Sequence, residues 1–117
     1  MKLTIYHNTR CRKSREALEL LESKGLKPEI VEYLKNPLSE KKIEELILLL
    51  KFDPMQLVRV NEALWKEQYR GKNFSKSEII ALLTKHPKLI ERPIISSSTN
   101  AVIGRPIDQL IHFLESH

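Results

Sequence analysis

Lys2-Leu3-Thr4-Ile5-Tyr6 runs into His7-Asn8-Thr9-Arg10-Cys11-Arg12-Lys13, and that loop leads into Ser14-Arg15-Glu16-Ala17-Leu18-Glu19-Leu20-Leu21-Glu22-Ser23-Lys24-Gly25. The first five residues are β-branched or aromatic in character, with Leu3 and Ile5 alternating, and predict a strand. From Ser14 to Lys24 the residues Ala17, Leu18, Leu20 and Leu21 form an apolar stripe at helical spacing, which Gly25 ends in the place of a C-terminal cap. Glu29 to Tyr33, with Ile30 and Val31, predicts a second short strand. Two strands joined by a helix of this length imply a parallel βαβ unit with a right-handed crossover.

Beyond that unit, Asn36-Pro37-Leu38 breaks the chain and Ser39 caps a helix whose Ile43, Leu46, Ile47 and Leu50 share one face. Asp53-Pro54 opens a short helix, because aspartate caps it and proline suits its first turn. Asn61 to Tyr69 is weakly helical, with Leu64 and Trp65 as packing residues. Ser75-Lys76-Ser77-Glu78 matches a capping box and is followed by Ile79, Ile80, Leu82 and Leu83. Residues 39–86 therefore read as an all-helical block. After His86-Pro87, the runs 93–96 and 101–104 flank the polar turn 97–100 and predict a β-hairpin. A last helix from about Pro106 to Glu115 carries Ile107, Leu110, Ile111 and Leu114 inward. The order is βαβ, helical insertion, ββα, within one domain spanning 1–117.

The bulk properties exclude several classes. The chain has 117 residues, 41% of them apolar and 30% charged, which reads as globular. No segment approaches the ~20 apolar residues of a membrane span, and residues 2–6 are too short for the apolar region of a signal peptide. A single cysteine cannot form an intrachain disulfide and fits a reducing cytoplasm, the expected location. The net charge of +5 comes from lysines interleaved with glutamate along the chain, a pattern of solvated surface. The basic run from Arg10 to Arg15 lacks aromatic stacking partners, so nucleic-acid binding is disfavoured. No metal site and no membrane contact are expected, and the chain is expected to be a monomer.

Cys11 is the residue that carries chemistry. A lone cysteine is usually a small buried hydrophobe. Here Arg10, Arg12, Lys13 and Arg15 lie within four residues, no close sequence neighbour is apolar enough to hide the thiol, and a helix start follows. Cations and exposed N–H groups at a helix start stabilise a thiolate, so Cys11 reads as a nucleophile. Ser14 stands where a C-x-x-C protein has its second thiol. Its hydroxyl either donates to the Cys11 thiolate or caps the helix. His7 either helps to hold Cys11 ionised or ends the strand and orients the loop. Asn8 stabilises the turn through its side chain. Arg15 sits in a first helical turn, where the dipole disfavours a cation, which hints at use.

Four pieces of sequence resemble one family: His7-Asn8-x-x-Cys11-x-x-Ser14-Arg15; Leu57-Val58-Arg59; His86-Pro87-Lys88-Leu89-Ile90-Glu91-Arg92-Pro93-Ile94; and Gly104-Arg105-Pro106. In this order they resemble the arsenate reductases that work with glutathione and glutaredoxin, over essentially the whole chain. The resemblance implies a thioredoxin-like α/β fold with a mixed four-stranded sheet and a cis bond before Pro93. It also implies that Cys11 attacks arsenate or a similar oxyanion, that Arg59, Arg92 and Arg105 bind it, and that glutathione is a co-substrate, with glutaredoxin as partner and no bound cofactor. Guanidinium groups suit such a ligand because they are always charged and donate paired hydrogen bonds to two oxygens. The competing readings are a glutathione-dependent thiol-disulfide oxidoreductase of the same fold, and a redox-responsive regulator that binds RNA polymerase. Ser14 argues against the second, whose members use a C-x-x-C switch.

Overall fold

A computed structural model describes residues 2–116. The chain divides into two compact units, residues 2–36 with 92–116, and residues 37–91.

In the first unit, β1 (Thr4–Tyr6) leads into α1 (Arg12–Ser23) and then β2 (Glu29–Val31); after residue 92 come β3 (Ile94–Ser96), β4 (Ala101–Ile103) and α5 (Ile107–Glu115). The four strands form one mixed sheet in the order β2-β1-β3-β4. β1 is parallel to β2, with Ile5 opposite Ile30, and antiparallel to β3, with Tyr6 opposite Ile94; β4 closes the antiparallel hairpin. Leu3, Ile5 and Ile95 from the sheet pack with Ala17 and Leu21 of α1 and with Leu110 and Phe113 of α5. Leu18 and Leu20 are only partly buried against this cluster. Gly25 adopts φ +76 and lets Leu26 N–H return to the carbonyl of Leu21, which stops α1 where the sequence predicts. The second strand is shorter than expected. It ends at Val31, and Ile30 is 47% exposed, because β2 is an edge strand with one face open.

The second unit contains α2 (Glu40–Leu50), α3 (Ala63–Gln68) and α4 (Lys76–Lys85), with 3-10 turns at Pro54–Leu57 and Pro87–Leu89. Ser39 accepts a hydrogen bond from Lys42 N–H and starts α2, and all four residues of its predicted apolar face are buried. Ser75 and Glu78 form the predicted capping box of α4. Asp53 N–H donates to Gln56 Oε1 and fixes the first 3-10 turn. Trp65, Tyr69 and Phe74 cluster, and Tyr69 Oη lies 3.1 Å from His86 Nε2. The 3-10 turn at Pro87–Leu89 and an isolated bridge between Val58 and Ile90 add order that hydrophobic periodicity does not reveal. Among the described residues no helix is long and apolar enough to cross a membrane.

Candidate active site

Cys11 occupies the N-cap of α1 in an extended conformation, φ −92 and ψ 120, and its N–H closes a tight turn onto the carbonyl of Asn8. Asn8 Oδ1 accepts from Arg10 N–H and braces the same turn. Cys11 as a whole is 9% exposed. The sequence expectation of an open thiol in a basic loop is therefore corrected: the turn folds the sulfur in at the helix start. Burial by itself raises a thiol's pKa. Here it is outweighed by the Ser14 backbone N–H, by the charge of Arg92 and its side-chain hydrogen bond, and by the Lys13 N–H, so the pKa lies below its ordinary value.

The cation at the sulfur is thus Arg92, and the basic residues beside Cys11 in sequence do other things. Arg12 and Lys13 both pair with Glu16 on the outside of the helix, and Arg15 Nη1 donates to the carbonyl of Thr9. Strand register explains why a distant residue arrives. With Tyr6 opposite Ile94 in an antiparallel pair, residue 92 falls level with residue 8, at the mouth of the loop. The Nε and Nη1 atoms of Arg92 are buried without a hydrogen-bond partner in the structure. Buried guanidinium donors of this kind are costly unless an acceptor meets them, so they form a ready place for an anion.

Ser14 is not a cap. It is the third residue of α1 and fully buried, on the same stripe as Ala17 and Leu21. Its Oγ lies 2.6 Å from His7 Nδ1 and accepts from Asn8 N–H at 3.0 Å, so the hydroxyl ties the end of β1 to the helix. The group of Ser14 that reaches the thiol is its backbone N–H. His7 is buried too. Burial lowers its pKa, the carboxylate of Glu32 works the other way, and Arg15 lowers it further; the net shift is downward. A neutral imidazole orients the loop and supplies no cation for Cys11.

The peptide bonds before Pro93 and Pro106 are both cis. The resemblance implied the first; the second sits next to Arg105 and was not anticipated. Arg105 is exposed and makes no ion pair among the described residues. Gly104, before it, is buried against Ile95 and Pro93, and its N–H donates to the carbonyl of Pro93 at 2.9 Å. The two ends of the β3-β4 hairpin, which carry Arg92 and Arg105, are thereby held together.

Arg59 belongs to the second unit. Its Nη1 donates to Glu62 at 3.0 Å and to the carbonyl of Lys88 at 3.4 Å, and its Nε lies 3.9 Å from Glu91. Sequence reading missed both carboxylates. The Arg59-Glu62 spacing of three residues is a signal that could have found the first. Nothing local pointed to the second. No cluster of three or more potential metal ligands occurs among the described residues.

These features define a thioredoxin-fold protein built around one cysteine, which a helix start and a partly buried arginine bias toward the thiolate. The ArsC family pattern matches residues 6–113. The chain is 36% identical over 116 residues to the arsenate reductase of Haemophilus influenzae, covering 97% of this chain and 100% of that one. It is 37% identical over 115 residues to the uncharacterized protein YfgD of Escherichia coli (strain K12), with 97% of each chain covered. Among solved structures it is similar to the arsenate reductase from Vibrio cholerae, with a TM-score of 0.91, 38% identity, and 96% and 97% of the two chains covered. The chain belongs to the ArsC family.

Proposed function

We propose that this protein reduces arsenate to arsenite, with Cys11 as nucleophile and an external thiol as reductant. The observation that carries the reading is the pairing of the Cys11 thiol with Arg92, whose remaining buried donors have no acceptor. A thiolate next to an unfilled guanidinium is arranged to attack the centre of an oxyanion whose oxygens the arginine holds. Arg105 is the second anion ligand, and Arg59 is the third on the strength of the family resemblance. Pro93, His7, Asn8, Ser14 and Arg15 support the site by holding its loop.

The Cys11 sulfur displaces one arsenate oxygen, which leaves as water, and forms a sulfur–arsenic(V) bond. Glutathione then attacks the Cys11 sulfur. A disulfide forms, the sulfur–arsenic bond breaks with its electron pair on arsenic, and arsenic(III) departs as arsenite. The mixed disulfide on Cys11 is reduced by glutaredoxin, because no second cysteine is present to resolve it.

The test follows NADPH oxidation with arsenate, glutathione, glutaredoxin and glutathione reductase. Turnover requires arsenate, disappears in Cys11→Ser, and shows a raised KM for arsenate in Arg92→Met. Arsenate-dependent turnover equal in wild type and Cys11→Ser refutes the proposal. Turnover on glutathione mixed disulfides alone replaces it with a thiol-disulfide oxidoreductase.

A further inference from the structure

The loop that presents Cys11 has a second side. There Thr9 and Arg10 form one wall of a cleft of about 240 Å³, and Glu32, Leu34 and Lys35, just beyond β2, form the other. The charges are two cations and one carboxylate. Glu32 and Lys35 bridge each other at 3.4 Å on the surface, a contact that solvent or a ligand exchanges at little cost. The Arg10 guanidinium makes no ion pair among the described residues, while its backbone N–H is fixed on Asn8. Leu34 adds an exposed apolar surface.

Cys11 cannot be reduced by a thiol from within the chain, since it is the only cysteine. A reducing thiol has to come from solvent to a sulfur that is largely covered. We propose that this cleft seats that thiol as a small zwitterionic peptide with two carboxylates and one ammonium, the charge pattern of a γ-glutamyl tripeptide. The carboxylates meet Arg10 and Lys35, and the ammonium meets Glu32. Arg10, which lines the cleft, precedes Cys11 directly, so a ligand seated there adjoins the loop that carries the nucleophile. The proposal rests on the reading of Cys11 as a redox nucleophile and does not depend on arsenate.

The experiment is thiol-disulfide exchange at Cys11 in the full chain, followed by mass spectrometry. The Cys11 thiolate attacks oxidised glutathione, forms the Cys11–glutathione disulfide and releases one reduced glutathione. Bis(2-hydroxyethyl) disulfide serves as the uncharged comparison. Arg10→Glu and Lys35→Glu each slow exchange with oxidised glutathione about tenfold or more and leave exchange with the uncharged disulfide within twofold of wild type. Arg12→Glu, an equally exposed charge reversal outside the cleft, leaves both rates within twofold. Unchanged glutathione exchange in Arg10→Glu and Lys35→Glu overturns the proposal, and so does equal slowing by Arg12→Glu, which would mark a diffuse charge effect. Failure of arsenate reduction is read separately, from the NADPH assay.

Discussion

Gly104→Ala tests whether the hairpin closure that carries both arginines is as tight as its geometry implies. A methyl group at this position lies 2.9 Å from Ile95 Cδ1, 3.3 Å from Pro93 Cγ and 3.6 Å from Ala17 Cβ. Ile95 is fully buried, so its Cδ1 must move into filled space, and the Pro93 ring cannot turn away. Overpacking of this kind costs roughly 1–3 kcal/mol. Replacing glycine also removes freedom from the unfolded chain, which returns about 0.4–1 kcal/mol. A net loss of about 1–2 kcal/mol remains, or roughly 4–8 °C in Tm for a chain of this size. Urea unfolding measures the loss and should show an unchanged slope. Ile95→Val removes the carbon that the new methyl group strikes. Gly104→Ala is therefore expected to cost less in that background, with a coupling of about 0.5 kcal/mol or more. Stability at or above wild type in Gly104→Ala, or strict additivity with Ile95→Val, refutes the reasoning.

Three further outcomes follow from the site and its supports. The pH midpoint of Cys11 alkylation lies below the free-thiol value of about 8.5 in wild type; it rises in Arg92→Met and stays in place in Arg12→Gln, whereas a midpoint indifferent to Arg92 removes its role at the sulfur. Ser14→Ala strips His7 Nδ1 and the Asn8 N–H of their shared partner and should cost roughly 1–3 kcal/mol in urea unfolding, while an unchanged midpoint contradicts the bridge. His7, with a pKa held below its ordinary value chiefly by burial, binds a proton less well folded than unfolded. Its contribution to stability is complete above the unfolded value of about 6.5 and is lost as pH falls through that value toward the folded one. His7→Gln should flatten the dependence of urea stability on pH over that range, and an unchanged slope assigns the dependence elsewhere.

Much of the fold was legible because each element carries a local signature. Alternation in β1, the stripe in α1, Gly25, and the serine caps of α2 and α4 each need only a few neighbouring residues to act. Ser14 was ambiguous because a serine near a helix start satisfies two rules at once. Its spacing to Ala17 and Leu21 is that of a core residue, and this spacing decides the matter: a hydroxyl on a buried stripe must find partners inside, and His7 and Asn8 supply them. The surroundings of Cys11 were misread for a related reason. Residues adjacent to a helix cap project around the helix at about 100° per residue, so Arg12 and Lys13 turn out to Glu16 while their backbone N–H groups and that of Ser14 stay aligned along the axis. Proximity in sequence thus gave the thiol its hydrogen-bond donors but not its cation. The cation depends on strand register, since a shift of β3 by one residue against β1 would turn every side chain of β3 to the opposite face and carry Arg92 away from the loop. That register is fixed by burial of Ile95 in the core between α1 and α5. The electrostatics of the Cys11 thiol are therefore set by the hydrophobic pattern of a strand more than eighty residues away from it in sequence, which makes Ile95 and Gly104 determinants of its charge state where the side chains of Arg12, Lys13 and Arg15, turned to other partners, are not.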